Sequence, residues 1–500
     1  MELLLVIPYF TVLLLLCTYG VHRAHLVYLC AKNRRALVKV KTVPVAEAEL
    51  PPVTVQLPLY NEATVVARLL DAAAQIDYPR DRLEIQVLDD SNDETRTIAR
   101  AKVEQMQKAG VDAKYMRRPD RVGYKAGALD YGLERAKGKL IAIFDADFIP
   151  QPEFIRQVVG HFENPKVGMV QTRWGHINRH HSLLTSIQAL MLDGHHMVEN
   201  RARFGAGLMF NFSGTGGVWR RSAIIDAGGW EHDTLTEDLD LSYRAQLGGW
   251  EFIYRPDVLT PAELPEDVSA FRAQQFRWAK GTVQTARKLL RRVLSSELTL
   301  QQRVEACFHM LPHFAYPLMM LLSVFLLPAL VLLPATDLRT MLLIDLPLCV
   351  GATGSLATFY VLAETAQGRS AWSALKRLPV LIALGAGLAP HLSRAVWEGM
   401  RSMAGEFVRT PKRGVVAGRY SQVADIPMLE IGLALLSAGS VVMSLYTGHW
   451  FATPFAALFM MGYAYVAGMV IAEQLRVRRA SALVSNLRAQ EVNQEVARAA

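Results

Sequence analysis

The sequence predicts a two-part molecule: a doubly wound α/β domain with a parallel sheet, carried on apolar helices long enough to cross a membrane. Three observations lead there. Hydrophobic residues make up 51% of the 500-residue chain, and they crowd toward its two ends. Between about residues 51 and 280 the chain turns polar and alternates short β-branched runs with amphipathic ones, the pattern of strand followed by helix. Carboxylates gather where those strands end, above all in Phe144-Asp145-Ala146-Asp147.

The apolar parts come first and last. Residues 1–21 contain one charge, Glu2, and are followed by His22, Arg23, His25, Lys32, Arg34 and Arg35. A secretory leader has the opposite polarity, so this reads as an uncleaved anchor whose carboxyl side is cytoplasmic. Apolar segments return at about 315–335, 341–363, 428–447 and 452–473, each long enough to span a bilayer. They form two pairs, 315–363 and 428–473, whose tight connections carry a single Lys or Arg, Arg339. Basic residues collect instead between the pairs (Arg369, Lys376, Arg377, Lys412, Arg413, Arg419) and after the last (Arg476, Arg478, Arg479). The positive-inside rule then assigns the polar domain (50–290), region 364–427 and tail (474–500) to the cytoplasm, with interfacial helices at 291–314. Five spans satisfy that parity and make an integral, multi-pass protein of the inner or plasma membrane, if the source is bacterial.

Leu378–Leu392 is apolar, but Gly385, Gly387, Pro390 and His391 crowd its end. A span there would put the following basic stretch outside, so the segment reads as interfacial or re-entrant. The net charge of +8 needs no nucleic-acid partner, because the basic excess sits beside spans where anionic lipid headgroups attract it. Cys17, Cys30, Cys307 and Cys349 lack metal-ligand spacing. Asp345, inside a span, faces either protein and water or the membrane interface.

Within the polar domain, strands are predicted at Val53–Leu59, Glu84–Leu88, Lys114–Met116 and Leu140–Phe144. Helices are predicted at Ala63–Gln75, Glu94–Ala109 and Lys125–Ala136. A parallel sheet of this kind binds ligands beyond its strand carboxyl ends. Those ends read Pro58-Leu59-Tyr60-Asn61-Glu62, Asp89-Asp90-Ser91 and Asp145-Ala146-Asp147, with Arg117-Arg118-Pro119-Asp120-Arg121-Val122-Gly123-Tyr124-Lys125 before the third helix. Residues i and i+2 of an extended chain share a side, so Asp145 and Asp147 can hold Mg²⁺ or Mn²⁺ on a nucleotide diphosphate. Asp89 and Asp90 can accept from a base or ribose, and Lys125 can meet the diphosphate. Taken singly each pattern also fits a turn, a helix cap or a solvated pair. Their convergence on one sheet edge does not.

A second half follows: Gln171-Thr172-Arg173-Trp174, Asn211-Phe212-Ser213-Gly214-Thr215-Gly216-Gly217, Gly228-Gly229-Trp230, Thr236-Glu237-Asp238 and Gln274-Gln275-Phe276-Arg277-Trp278. Trp174 and Trp230 suit either a sugar ring or a core. Thr236-Glu237-Asp238 suits either a helix cap or a base near the metal.

In this order, Asp89/Asp90, Asp145-Ala146-Asp147, Thr236-Glu237-Asp238 and Gln274-x-x-Arg277-Trp278 resemble the membrane-embedded family 2 glycosyltransferases, among them the cellulose, hyaluronan and mannan synthases. The wording of Val87-Leu88-Asp89-Asp90-Ser91, Gly123-Tyr124-Lys125-Ala126-Gly127 and Ile143-Phe144-Asp145-Ala146-Asp147-Phe148 is closest to the plant cellulose-synthase-like group making β-mannan and glucomannan. The resemblance covers about residues 50–290. It implies a GT-A fold of Rossmann-like type and an inverting reaction. Asp238, in its Glu237-Asp238 pair, would be the general base, and Asp145 and Asp147 would hold Mg²⁺ or Mn²⁺. Asp89, Asp90, Lys125, Asp145 and Arg277 would bind the nucleotide donor, with Thr236, Gln274 and Trp278 toward the acceptor. Phe407-Val408-Arg409-Thr410-Pro411-Lys412 is similar to a cellulose-synthase gating loop (407–414 here). Arg409 departs from that pattern, so only Phe407, Thr410 and Lys412 carry over.

The expected function is therefore elongation of a β-linked mannan, glucomannan or glucan from GDP-mannose or UDP-glucose, with secretion through the chain's own membrane region. The partners are a nucleotide-diphospho-sugar, a glycan or lipid acceptor and membrane lipids, with any export partner left open. Ceramide glucosyltransferases carry a related motif series, so the alternative is a single transfer onto a membrane lipid. A non-enzymatic scaffold is opposed by the presence of every carboxylate the chemistry needs.

Overall fold

The structure is a computed structural model that describes residues 2–34, 42–333, 353–403, 405 and 427–499. Helix α1 (Glu2–Lys32) leads to a seven-stranded sheet. Its strands are β1 (Val53–Leu59), β2 (Leu83–Asp89), β3 (Asp112–Met116), β4 (Leu140–Ile143), β5 (Val167–His176), β6 (Gly217–Arg220) and β7 (Glu251–Ala262). The spatial order is β3-β2-β1-β4-β6-β5-β7. Strands β1 to β4 pair in parallel, as their alternation with helices predicts. Strand β6 is different, running antiparallel to both β4 and β5, so the sheet is mixed. The cause lies just before it. Gly214 (φ 82°) and Gly216 (φ 63°) adopt left-handed backbone that other residues resist. The Gly216 N–H then docks on Ile143 O at 2.9 Å. A strand that begins at the carboxyl end of β4 can only run back alongside it.

Strand alternation builds two cores. Val53, Val55, Leu57, Ile85 and Val87 pack on one face with Leu69, Leu70, Val103 and Phe154. Ile141, Ile143, Met169 and Trp219 pack on the other with Leu129, Leu133 and Leu241. The second face also carries a buried polar ladder, Thr54 to Glu84 at 2.6 Å and Gln56 to Gln86 at 3.1 Å. Helix α2 (Tyr124–Arg135) lies over it at Gly132, where a Cβ would meet the Gln56 amide at 2.5 Å. Strand order reverses between β1 and β4, the crevice where ligands of such sheets bind.

Helix α3 (Glu237–Leu247) precedes β7, and the long helix α4 (Val268–Leu294) follows it. The apolar helices come next: α5 (Ala315–Leu332), α6 (Ser355–Thr365), α7 (Ala371–Arg401), α8 (Met428–Tyr446) and α9 (Thr453–Ala499). Among the described residues five segments are long and apolar enough to cross a membrane: Val6–Lys32, Pro312–Leu332, Ala371–Arg401, Met428–Tyr446 and Thr453–Arg476. Tyr9, Leu322, Leu326, Leu433 and Tyr463 form their shared core, and Ser323 meets the Tyr463 hydroxyl at 2.8 Å.

Two readings of this region differ from the structure or fall outside it. Most of the expected span 341–363, with Asp345 and Cys349, lies outside the described residues. Leu378–Leu392, read as interfacial or re-entrant, is the middle of the uninterrupted helix α7, which is long and apolar enough to cross a membrane. Gly387 makes a close contact there. A Cβ on Gly387 would meet Gly462 O at 2.2 Å, and one on Gly462 would meet Ala383 O at 2.2 Å. Backbones of α7 and α9 therefore touch, the usual role of small residues between membrane helices.

Candidate active site

The site is assembled at the carboxyl ends of β1, β2 and β4. Beyond β4 the chain turns at Asp145, whose carbonyl accepts from the Phe148 N–H at 3.0 Å. Asp145 also donates its own N–H to Thr215 Oγ1 at 2.9 Å. The glycine-rich run before β6 is thereby pinned against the carboxylates. Asp145 and Asp147 both line one cleft. Lys125, on the first turn of α2, pairs its ammonium with Asp145 and donates to Gly214 O at 2.9 Å. Burial works against that ammonium, but the Asp145 and Glu237 carboxylates outweigh it and raise its pKa.

Asp238 enters from the start of α3, where its carboxylate accepts from the Leu239 N–H at 2.8 Å. Gly214 makes room for it: a Cβ there would lie 3.0 Å from Asp238 Oδ2 and 3.6 Å from Lys125 Nζ. The Asp238 carboxyl is pushed up to about 7, first by burial and then by the Glu237 charge, against the pull of Lys125 and Arg277. A carboxylate poised near neutrality is what a general base requires.

Helix α4 holds this corner. Thr236 does not cap α3. Its hydroxyl meets Thr285 Oγ1 at 3.1 Å, and the Leu235 N–H donates to Gln284 at 3.0 Å. Gly281 permits the approach, since a Cβ there would meet the Thr236 backbone N at 2.8 Å. Gln274, Arg277 and Trp278 occupy positions i, i+3 and i+4 of the same helix, one face of it. All three line the cleft, as do Thr236, Glu237 and Trp174.

Asp90 and Asp89 part company. Asp90 lines the cleft, gripped by Arg118 through Nε at 3.0 Å and Nη2 at 2.5 Å. Asp89, expected beside it on the donor, is buried away from the cleft. It accepts from Ser91 N–H at 2.9 Å and Tyr115 O–H at 2.7 Å, which orders the loop. The alternation that sends Ile85 and Val87 into the core continues to Asp89 and takes it inward. Trp230 is likewise core, packed edge-on to Trp219. Phe407, Thr410 and Lys412 lie outside the described residues. Tyr60, Arg121, Tyr124 and Phe148 line the cleft without having been singled out from sequence. Their signal was position, since Tyr60 directly follows β1 and Phe148 follows the carboxylate pair. A further acidic group, Glu231, Asp233 and Asp240, already surrounds the Lys288 ammonium.

A family model described as "Glycosyltransferase like family 2" matches residues 51–281. Probable glucomannan 4-beta-mannosyltransferase 7 of Oryza sativa subsp. japonica is 42% identical over 53% of this chain and 46% of its own length. Glucomannan 4-beta-mannosyltransferase 2 of Arabidopsis thaliana is 41% identical over 50% of this chain and 48% of its own. Against these two the match spans about half the length of each relative. Glucomannan 4-beta-mannosyltransferase 1 of Cyamopsis tetragonoloba is 32% identical over 84% of this chain and 82% of its own. A mannosyltransferase of Pyrobaculum calidifontis, solved with GDP-Man and Mn²⁺, shares the fold at a TM-score of 0.55 and 22% identity, over 78% of this chain and 99% of its own. The chain belongs to the family 2 glycosyltransferases and is close to the cellulose-synthase-like glucomannan 4-beta-mannosyltransferases.

Proposed function

We propose that this chain is an inverting hexosyltransferase that transfers mannose from GDP-mannose onto the end of a β-linked mannan or glucomannan. We further propose that its 50–290 domain faces the cytoplasm beneath the membrane helices. The observation that carries the reading is the meeting of Asp238, Lys125 and the Asp145/Asp147 pair in one cleft. The names of the plant relatives support mannose and a glucan or mannan acceptor. The donor held by the Pyrobaculum enzyme supports GDP.

The donor set suits a divalent cation. Asp145 and Asp147 supply hard carboxylate oxygens, and the Lys125 ammonium resting on Asp145 marks the position as one that draws positive charge. Asp145 and Asp147 would hold Mg²⁺ or Mn²⁺ there, and the ion would supply Lewis-acid stabilisation of the departing diphosphate. The remaining work falls to side chains. Asp238 takes the proton from the acceptor hydroxyl as its oxygen attacks the anomeric carbon. The new C–O bond forms on the face opposite the breaking sugar–phosphate bond, so configuration inverts. Lys125 and Arg277 offset the charge gathering on the diphosphate. Trp174 and Trp278 offer ring faces to the sugars, and Gln274 offers an amide to the acceptor. Asp90, held flat by Arg118, faces the nucleoside.

Replacing Asp238 with Asn tests the assignment. Transfer should fall by at least about 10³-fold while GDP affinity stays within a few-fold of the parent. An equal loss of binding and transfer would make Asp238 structural instead.

A further inference from the structure

We infer that Arg121 selects a guanine base at this site by donating along the O6/N7 edge of the purine. The inference deepens the GDP-mannose reading and rests on it.

The loop before α2 offers two arginines near the cleft, and only one is spent. Arg118 uses its fork on Asp90, and further donates to Val122 O at 2.7 Å and Tyr124 O at 3.0 Å. Gly127 is shaped to that arrangement, for a Cβ there would meet Val122 O at 2.2 Å and Arg118 Nη1 at 2.5 Å. The Arg121 side chain makes no hydrogen bond among the described residues, and its Nε is buried without a partner there. Stacking holds it instead. Its guanidinium carbon lies 3.3 Å from the Tyr60 ring centroid and 4.8 Å from that of Tyr124. Arg121, Tyr60, Tyr124 and Asp90 all line the cleft.

Stacking on a ring fixes the plane of a guanidinium and leaves its N–H donors radiating in that plane. The ligand that fits is planar and presents two adjacent acceptors. Guanine O6 and N7 are such a pair, the commonest arginine target on a base. Uracil offers no equivalent, because its two carbonyls are separated by an N–H donor. Phosphate oxygens would also accept, but the carboxylates that would hold the diphosphate follow a different strand. Tyr60 follows β1 and Asp90 follows β2, whereas Asp145 and Asp147 follow β4, across β1 from β2. Strands lie about 4.8 Å apart, so Asp90 stands roughly two spacings from the carboxylate pair. That separation matches the reach from a diphosphate to its base.

The test is calorimetric binding of GDP, 7-deaza-GDP and UDP to the full chain in detergent with Mg²⁺. 7-Deaza-GDP lacks only the N7 acceptor, so the parent protein should bind it about tenfold more weakly than GDP. Arg121→Ala should weaken GDP by roughly tenfold to a hundredfold and bring GDP and 7-deaza-GDP to the same affinity, leaving UDP unmoved. Arg121→Lys should match the alanine variant, since an ammonium keeps the charge and loses the fork. Equal binding of GDP and 7-deaza-GDP by the parent, a comparison that needs no variant, would overturn the role of Arg121 and leave the donor reading standing. Survival of the gap in Arg121→Ala would overturn it equally. Binding of UDP in place of GDP would remove the donor reading and this inference with it.

Discussion

Replacing Glu237 with Gln tests whether the Asp238 carboxylate is the working base. The Asp238 carboxyl is raised to about 7 by burial and by the neighbouring Glu237 charge. Removing that charge eases ionisation of Asp238, so its pKa falls, by about one unit for the loss of an adjacent like charge. The sign follows from the chemistry: the base acts only when ionised, so kcat/KM drops as pH falls through its pKa. At pH 6 a base of pKa about 7 is roughly 10% ionised and one of pKa about 6 roughly half ionised. Relative to its own plateau at pH 8.5, the variant should therefore keep about five times more of its kcat/KM at pH 6 than the parent does. The assay is initial-rate transfer of labelled mannose across pH 5.5 to 8.5 at limiting donor. An acidic limb that stays in place, or moves upward, would refute the assignment whatever the plateau does.

The same raised carboxyl predicts a stability effect. A folded-state pKa above the unfolded value means that ionisation favours unfolding. Stability from this group is therefore greatest at low pH and is lost as pH rises from about 4 through about 7. Asp238→Asn should melt above the parent at pH 8 and lose that advantage by pH 5, as read by thermal unfolding in detergent. Gly214→Ala forces a side chain into left-handed backbone (φ 82°) and against Asp238. It should cost about 1–2 kcal/mol in stability and lower kcat by roughly tenfold to a hundredfold, with GDP affinity nearly kept; unchanged kcat would contradict the close fit. Glu364 is buried on α6, where it pairs with Arg179 and, at 2.9 Å, with Arg369. Glu364→Ala leaves both cations sharing the single Asp193 carboxylate and should destabilise the protein by about 1–3 kcal/mol, read as denaturation at lower temperature.

Much of this was legible in the residues, and the gaps have physical causes. Strand β1 was readable to the residue because Val53, Val55 and Leu57 alternate with Thr54 and Gln56 on opposite faces of the sheet. The clefts of such sheets form at strand ends, so Asp90, Lys125, Asp145, Asp147 and Asp238 could be expected to converge before any coordinates. Strand β6 could not, for Gly217–Arg220 is four residues long, too short to show a period. Its direction is set by the left-handed glycines before it. Asp89 was misjudged although its signal was present, because the phase of Ile85 and Val87 fixes where it points. Arg121 was hidden for another reason. Whether a loop arginine is spent or spare depends on backbone carbonyls and ring faces, as Arg118 and Arg121 show side by side. The use of Gly387 in α7 could not be read from sequence, because it depends on Gly462, its neighbour in space.

The central claim is that this chain lengthens a β-mannan-type polymer from GDP-mannose. The measurement that tests it most directly uses purified full-length protein in liposomes with Mg²⁺ or Mn²⁺. It is supplied with radiolabelled GDP-mannose or UDP-glucose, and the products are partitioned between water and organic solvent. The account predicts label from GDP-mannose in a size-heterogeneous, solvent-insoluble product that a β-mannanase degrades. Label in one solvent-soluble species would contradict it and make the enzyme a single-transfer glycolipid transferase.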